Sequence, residues 1–305
     1  MAASTYLNFD LFIEPWQEAY QARVLASPFG QASVIFNLPF SAEELATLLA
    51  RDMPAKLEAQ LIGARLFQAI FYDEVGRCLR RSIDKAQNTG EGLRLRLRLT
   101  NVPELMQLPW EYLYDTDRHR FLTLSEQTPI VRYMDLPETE APLGIELPLR
   151  ILVMLANPSD ISPRLDTEAE WERLQGELND LQMKGLVVLE RLTTATMLAL
   201  QQRLQQEPVH IFHFVGHGFF DQASRGCGLI LENDTGEAQL ATAEALNTLL
   251  RDHQALRLAF LNACSGARNA TSDPFMGTAQ RLIQQGLPAV IAMQFSISDR
   301  AATVL

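Results

Sequence analysis

The chain has 305 residues, 47% hydrophobic and 21% charged, a composition ordinary for a soluble protein and a length that suits two domains or one large one. A net charge of -11 argues against a nucleic-acid surface. No apolar run reaches the roughly 18 residues of a membrane span, and three scattered cysteines (Cys78, Cys227, Cys264) suit neither a disulfide framework nor a zinc site.

Nothing in the first residues resembles a signal peptide, so a reducing, cytoplasmic setting is expected, without metal or cofactor. Residues 5–27 suggest a pair of strands around Glu14-Pro15. Ser41 and Glu44 have the spacing of a capping box opening a helix. Beyond Pro54, Leu57, Leu61, Ala64, Leu66, Phe67, Ile70 and Phe71 keep helical spacing as far as Cys78 and Leu79. Polar, glycine-bearing Lys85–Gly92 is expected as a loop. Leu93, Leu95, Leu97 and Leu99 alternate with Arg94, Arg96 and Arg98, the pattern of a strand with one wet face. The arginines could bind an anion, but a solvated strand face is the expected reading. A short helix around Trp110 and strand-like pieces at Phe121–Leu122 and Ile130–Tyr133 follow. Residues 135–147, proline-rich and acidic, mark the expected boundary between an α+β domain (1–148) and a second domain (149–305).

From Leu149 the pattern becomes regular. Apolar strands are expected at Leu149–Ala156, Leu186–Leu189, Val209–Val215, Leu258–Leu261 and Ala289–Met293. Helices alternate with them: one opened by a Thr167/Glu170 capping box and stopped at Gly185, then Leu198–Leu204, Ala243–Leu250, and one capped by Asp273-Pro274 with Gly286 past its end. Asn233–Gly236 suggests a hairpin turn. Strands alternating with helices predict an α/β fold, a doubly wound and mostly parallel sheet flanked by helices. The chain ends at Leu305, a turn or two into a further helical pattern, so the domain is expected to continue beyond it.

Two strands in this half end beside chemically able side chains. The run from Val209 leads into Gly216-His217-Gly218, and the run from Leu258 into Asn262-Ala263-Cys264-Ser265-Gly266. Strand tips at the carboxyl edge of a parallel sheet are where sites are built. There is no phosphate-binding glycine loop and no serine-hydrolase elbow. Taken singly, His217 could be a structural residue at a tight turn and Cys264 a buried, inert thiol. Together, 47 residues apart on strands predicted to be neighbours, they form a candidate nucleophile and base.

The motifs at 214–218 (FVGHG) and 261–266 (LNACSG) resemble those of the CHAT family, caspase-like peptidases grouped with caspases and separases. Leu108–Leu113, Phe121–Leu122, Ile130–Arg132 and the stretch Phe275–Gln294 extend the resemblance over about residues 100–305. It implies Cys264 as nucleophile, His217 as proton carrier, and the N–H groups of Gly218 and Cys264 as the oxyanion hole. It also implies an acid that receives a basic substrate residue. Asp299 is the first candidate, although helix capping explains it equally; Asp221 and Asp273 are the others. The chain departs from the family in lacking a Trp near Phe295. In larger relatives a degenerate protease-like domain comes first, and 1–148 is a candidate for such a pseudo-caspase domain.

The expected function is a cysteine endopeptidase that cleaves a partner protein once an activating partner or signal releases it, in bacterial signalling or antiphage defence. No membrane association or direct nucleic-acid binding is expected. The alternatives are a catalytically silent CHAT scaffold for protein–protein contacts and a small-molecule sensor on a Rossmann-like sheet.

Overall fold

A computed structural model describes residues 5–50, 56–134, 144–221, 226–263 and 274–292. The chain divides into two units, Met1–Pro137 and Glu138–Leu305.

In the N-terminal unit, β1 (Tyr6–Trp16) and β2 (Ala19–Ala26) are antiparallel, as expected, and an unanticipated β3 (Ala32–Phe36) adds to β2. Helix α1 (Ala42–Ala50) opens on the predicted box: Glu44 N donates to Ser41 Oγ at 3.1 Å and Ser41 N to Glu44 Oε2 at 2.7 Å. The long helical run is two helices, α2 (Lys56–Ile70) and α3 (Asp73–Thr89). The chain turns between them where Tyr72 is extended and Asp73 has φ of 45°. Lys85–Gly92 is not a loop. Its polar residues ride the outer side of α3 while Ile83 and Ala86 stay buried, and the helix stops only at Gly90, φ 73°.

Strand β4 (Gly92–Arg98) pairs in parallel with β1 and, after the short hairpin β5 (Tyr114–Asp115) and β6 (Arg120–Phe121), with β7 (Ile130–Tyr133). Trp110 lies in a 3-10 turn, fully buried, its indole N–H on Leu105 O at 2.8 Å. The leucines of β4 join Phe9, Leu11 and Ile13 in one core under α2 and α3. The arginine face of β4 is not simply solvated. Arg96 grips Asp10, which is 4% exposed, Arg94 Nε donates to Asn8 Oδ1 at 3.0 Å, and Arg96 and Arg98 both lie over the Tyr133 ring. A carboxylate on β1 and an aromatic ring on β7 supply the cations with partners that periodicity along one strand does not reveal.

The C-terminal unit comprises β8 (Leu149–Leu155), α4 (Thr167–Met183), β9 (Val187–Arg191), α5 (Met197–Leu204), β10 (Ile211–Asp221), β11 (Gly226–Glu232), β12 (Ala238–Thr242), α6 (Ala243–Leu250), β13 (Leu258–Ala263), α7 (Pro274–Gln284) and β14 (Val290–Ala292). Strands β9-β8-β10-β13-β14 run side by side and all parallel. Alternate residues of these strands enter two cores. Leu152, Met154, Phe212, Phe214, Ala259 and Leu261 pack with α5, α6 and α7 residues, whereas Ile151, Val153, Leu155 and Val215 pack with Trp171, Leu174 and Leu178 of α4. Helices therefore cover both faces, the reason the strands read as continuous apolar runs.

Two expectations fail here. Thr167 and Glu170 form no capping box: Asp166 is the N-cap, its Oδ1 accepting from Ala169 N at 3.1 Å, and Thr167 is already inside the helix. And Gly216-His217-Gly218 is not a turn. Strand β10 runs through it to Asp221, because β11 takes over as antiparallel partner from His217 onward. The β11–β12 hairpin itself forms as expected, with Gly236 at φ 79°.

Candidate active site

The strand order β9-β8-β10-β13-β14 reverses direction between β8 and β10. Crossovers leave such a point in opposite directions and open a crevice beyond the carboxyl ends of the two strands. His217 stands at this place. Its neighbour Gly216 is the last residue of β10 paired in parallel with β13, opposite Ala263. A Cβ at Gly216 would collide with the Phe214 ring and crowd Ala156 Cβ, so only glycine lets the strand pass. His217 itself is opposite Ile230 of β11 and is 2% exposed.

The segment joining β8 to α4 closes over this position. Asn157 clamps it at its base: Nδ2 donates to Leu165 O at 2.8 Å and Oδ1 accepts from Leu165 N at 3.2 Å. Asn157 N donates to Glu232 Oε1, Ser159 N to Gly236 O, and Ala238 N to Asp160 Oδ1, so the segment is also docked on the β11–β12 hairpin. Held in this way, Pro163 presents its carbonyl 3.1 Å from His217 Nε2. A carbonyl can only accept, so Nε2 carries a proton, and when the ring is neutral this is the Nε2–H tautomer. That tautomer can take a proton at Nδ1.

Below the tip, a polar cluster interrupts the apolar packing of α4 on the sheet. Arg173 Nη2 reaches both oxygens of Glu170 at 2.7 Å, and Asn262 Nδ2 donates to Glu170 Oε1 at 3.1 Å. His213 stacks on Phe260 with ring centroids 4.7 Å apart, and its Nε2 is buried without a hydrogen-bond partner. Burial pushes the His213 imidazole down to about 4; Glu170 pulls it up and Arg173 pushes it further down. His210 is also lowered, first by burial and then by Arg257 and Arg150, and its Nδ1 accepts from Arg150 N at 2.9 Å.

Of the residues predicted for the site, His217 and Gly218 lie on β10, Gly218 opposite Leu229. Asp221 ends β10, and its side chain is not among those described. Cys264, Asp273 and Asp299 lie outside the described residues. Periodicity missed Pro163, Glu170 and Asn262. A backbone carbonyl leaves no trace in sequence, and Glu170 was assigned to a cap. Asn262, two residues before Cys264 within the recognised motif, was the one visible signal. Among the described residues no cluster of three His, Cys, Asp or Glu side chains could hold a metal ion, and no helix is long and apolar enough to cross a membrane.

These features define a mixed α/β protein whose C-terminal unit is a doubly wound, mostly parallel sheet with an oriented histidine at its switch point. Residues 34–305 match the CHAT domain, and the chain belongs to the CHAT domain family, one of caspase-like, cysteine-peptidase-type domains. No curated protein matches the chain. The match begins at residue 34, well before the point near residue 100 at which the recognisable motifs start.

Proposed function

We propose that the protein is a cysteine endopeptidase working through Cys264 and His217. The observation that carries this reading is the register of β10 and β13. Gly216 is paired with Ala263, the last pair between the two strands, and in the sequence these residues are followed by His217 and Cys264. On β13, Asn262 reaches Glu170 of α4 while Ala259 and Leu261 join the opposite core.

In this scheme His217 Nδ1 takes the Cys264 thiol proton, and the thiolate attacks the scissile carbonyl. The N–H groups of Gly218 and Cys264 receive the oxyanion. The imidazolium then protonates the leaving amine, and water, deprotonated by the same ring, releases the acyl group from sulfur. The substrate is a partner protein, with Asp299 the first candidate for receiving a basic residue and Asp221 and Asp273 behind it. Family resemblance supports a cytoplasmic, triggered role in bacterial signalling or antiphage defence, and residues 1–148 as a pseudo-caspase domain.

The test is cleavage of candidate partners and self-cleavage by wild type, Cys264→Ala and His217→Ala proteins. Both variants are expected to be silent. Continued cleavage by Cys264→Ala would defeat the reading, and a wild-type Cys264 that reacts with no thiol-directed probe, even with partners present, would turn it toward a silent scaffold.

A further inference from the structure

We propose that Glu170 and Asn262 are positioning residues, their hydrogen bond tying the strand that leads into Cys264 to the helix whose leading segment orients His217. The proposal rests on the dyad reading above.

Asn262 is 8% exposed and sits on β13 opposite Val215, one pair below Gly216 and Ala263. Its partner Glu170 lies in the first turn of α4, just past the N-cap Asp166. Immediately upstream, the Asn157 clamp closes on Leu165 and fixes the carbonyl of Pro163 against His217. A continuous path of hydrogen bonds and short backbone therefore runs from β13 through α4 to the imidazole. Arg173 stiffens it by holding both carboxylate oxygens of Glu170, which keeps the carboxylate aimed at Asn262 and offsets its charge.

The surroundings make mere adhesion a poor explanation. Apart from His213 stacked on Phe260, this face is apolar, with Ile151, Val153, Leu155 and Val215 against Trp171, Leu174 and Leu178. Partly buried ion pairs seldom stabilise more than apolar residues of the same size. A carboxylate, a guanidinium and an amide at this one level of the sheet, directly under the tips, are explained by a demand for geometry. Glu170 is also not a pocket acid awaiting a cationic substrate, since both its oxygens are engaged.

The test uses the full chain and needs no substrate. Alkylation of Cys264 by iodoacetamide is followed against pH, with peptide mass separating it from the buried Cys78 and Cys227. Melting curves are recorded alongside. Glu170→Ala and Asn262→Ala are each expected to lower the neutral-pH rate about tenfold, the scale of one charge-assisted hydrogen bond. The double variant should lose no more than the worse single one, and Glu170→Gln, whose Oε1 can still accept from Asn262, should recover most of the rate. Single variants that shift only the melting temperature, or losses that add, overturn the proposal. If the alanine variants do not fold, Asn262→Asp, which sets carboxylate against carboxylate, replaces them: a wild-type alkylation profile overturns the proposal, and a loss of rate supports it. His217→Ala separates the two levels. If it abolishes the enhanced reactivity while the Glu170 and Asn262 variants do not, the positioning role alone falls; if wild-type Cys264 behaves as an ordinary thiol, the dyad reading falls with it.

Discussion

His213 and His217 share strand β10 but are held differently. His217 has a carbonyl for Nε2, whereas His213 is stacked on Phe260 with its Nε2 unpartnered, near Glu170 and Arg173. With its folded pKa near 4, below the roughly 6.5 of a free imidazole, His213 binds fewer protons folded than unfolded. Its contribution to stability is therefore complete above about pH 6.5 and is lost as pH falls toward 4, by up to about 3 kcal/mol. Denaturant unfolding of wild type at pH 7 and pH 4.5 should show that loss, and His213→Leu should flatten it. His210 and His253, both lowered chiefly by burial, leave a residual slope of the same sign. Gly216 offers a second test at this scale. Gly216→Ala drives a methyl into Phe214 and Ala156, with an expected cost of about 1–3 kcal/mol and lower Cys264 reactivity in the alkylation assay.

Among the elements, the segment between β8 and α4 has no regular structure of its own, so its shape depends on Asn157 and on the β11–β12 hairpin. Asn157→Ala removes both bonds to Leu165. It is expected to leave the sheet intact by circular dichroism while raising amide exchange across 157–165 and lowering the Cys264 alkylation rate. The regular elements around this segment were legible. Leu149–Leu155 reads as a strand buried on both faces because it is one, and α6 spans Ala243–Leu250 as expected because a polar outer face interrupts its apolar stripe. What escaped depended on distant chain. Strand β10 continues past Gly216 only because β11 arrives to pair with it, Arg96 is occupied only because β1 brings Asp10, and Asp166 displaces Thr167 as cap because its carboxylate reaches Ala169 N. Of the candidate site, His217 stood out in the sequence as a side chain capable of chemistry, whereas the Pro163 carbonyl and the Asn157 amide around it did not.

On the scale of the whole molecule, each unit has a hydrophobic core of its own among the described residues. Phe9, Leu11, Leu66 and Trp110 belong to one cluster, and Leu152, Phe212, Leu231 and Leu261 to another. Leu11→Ala, a deletion that typically costs about 2–5 kcal/mol, should raise amide exchange in β1, β2 and β4 and leave β8, β10 and β13 at wild-type protection. Exchange that rises equally in both units would show instead that they open as one.

The change of partner halfway along β10 has a consequence for the newborn chain. His217 leaves the ribosome ahead of Ile230, its ladder neighbour, and ahead of the whole of β13. Until those later residues are made, β10 has only β8 beside it, and the backbone at His217 lacks its ladder partner. A polypeptide that stops short of β13 thus carries the ring in a half-built setting.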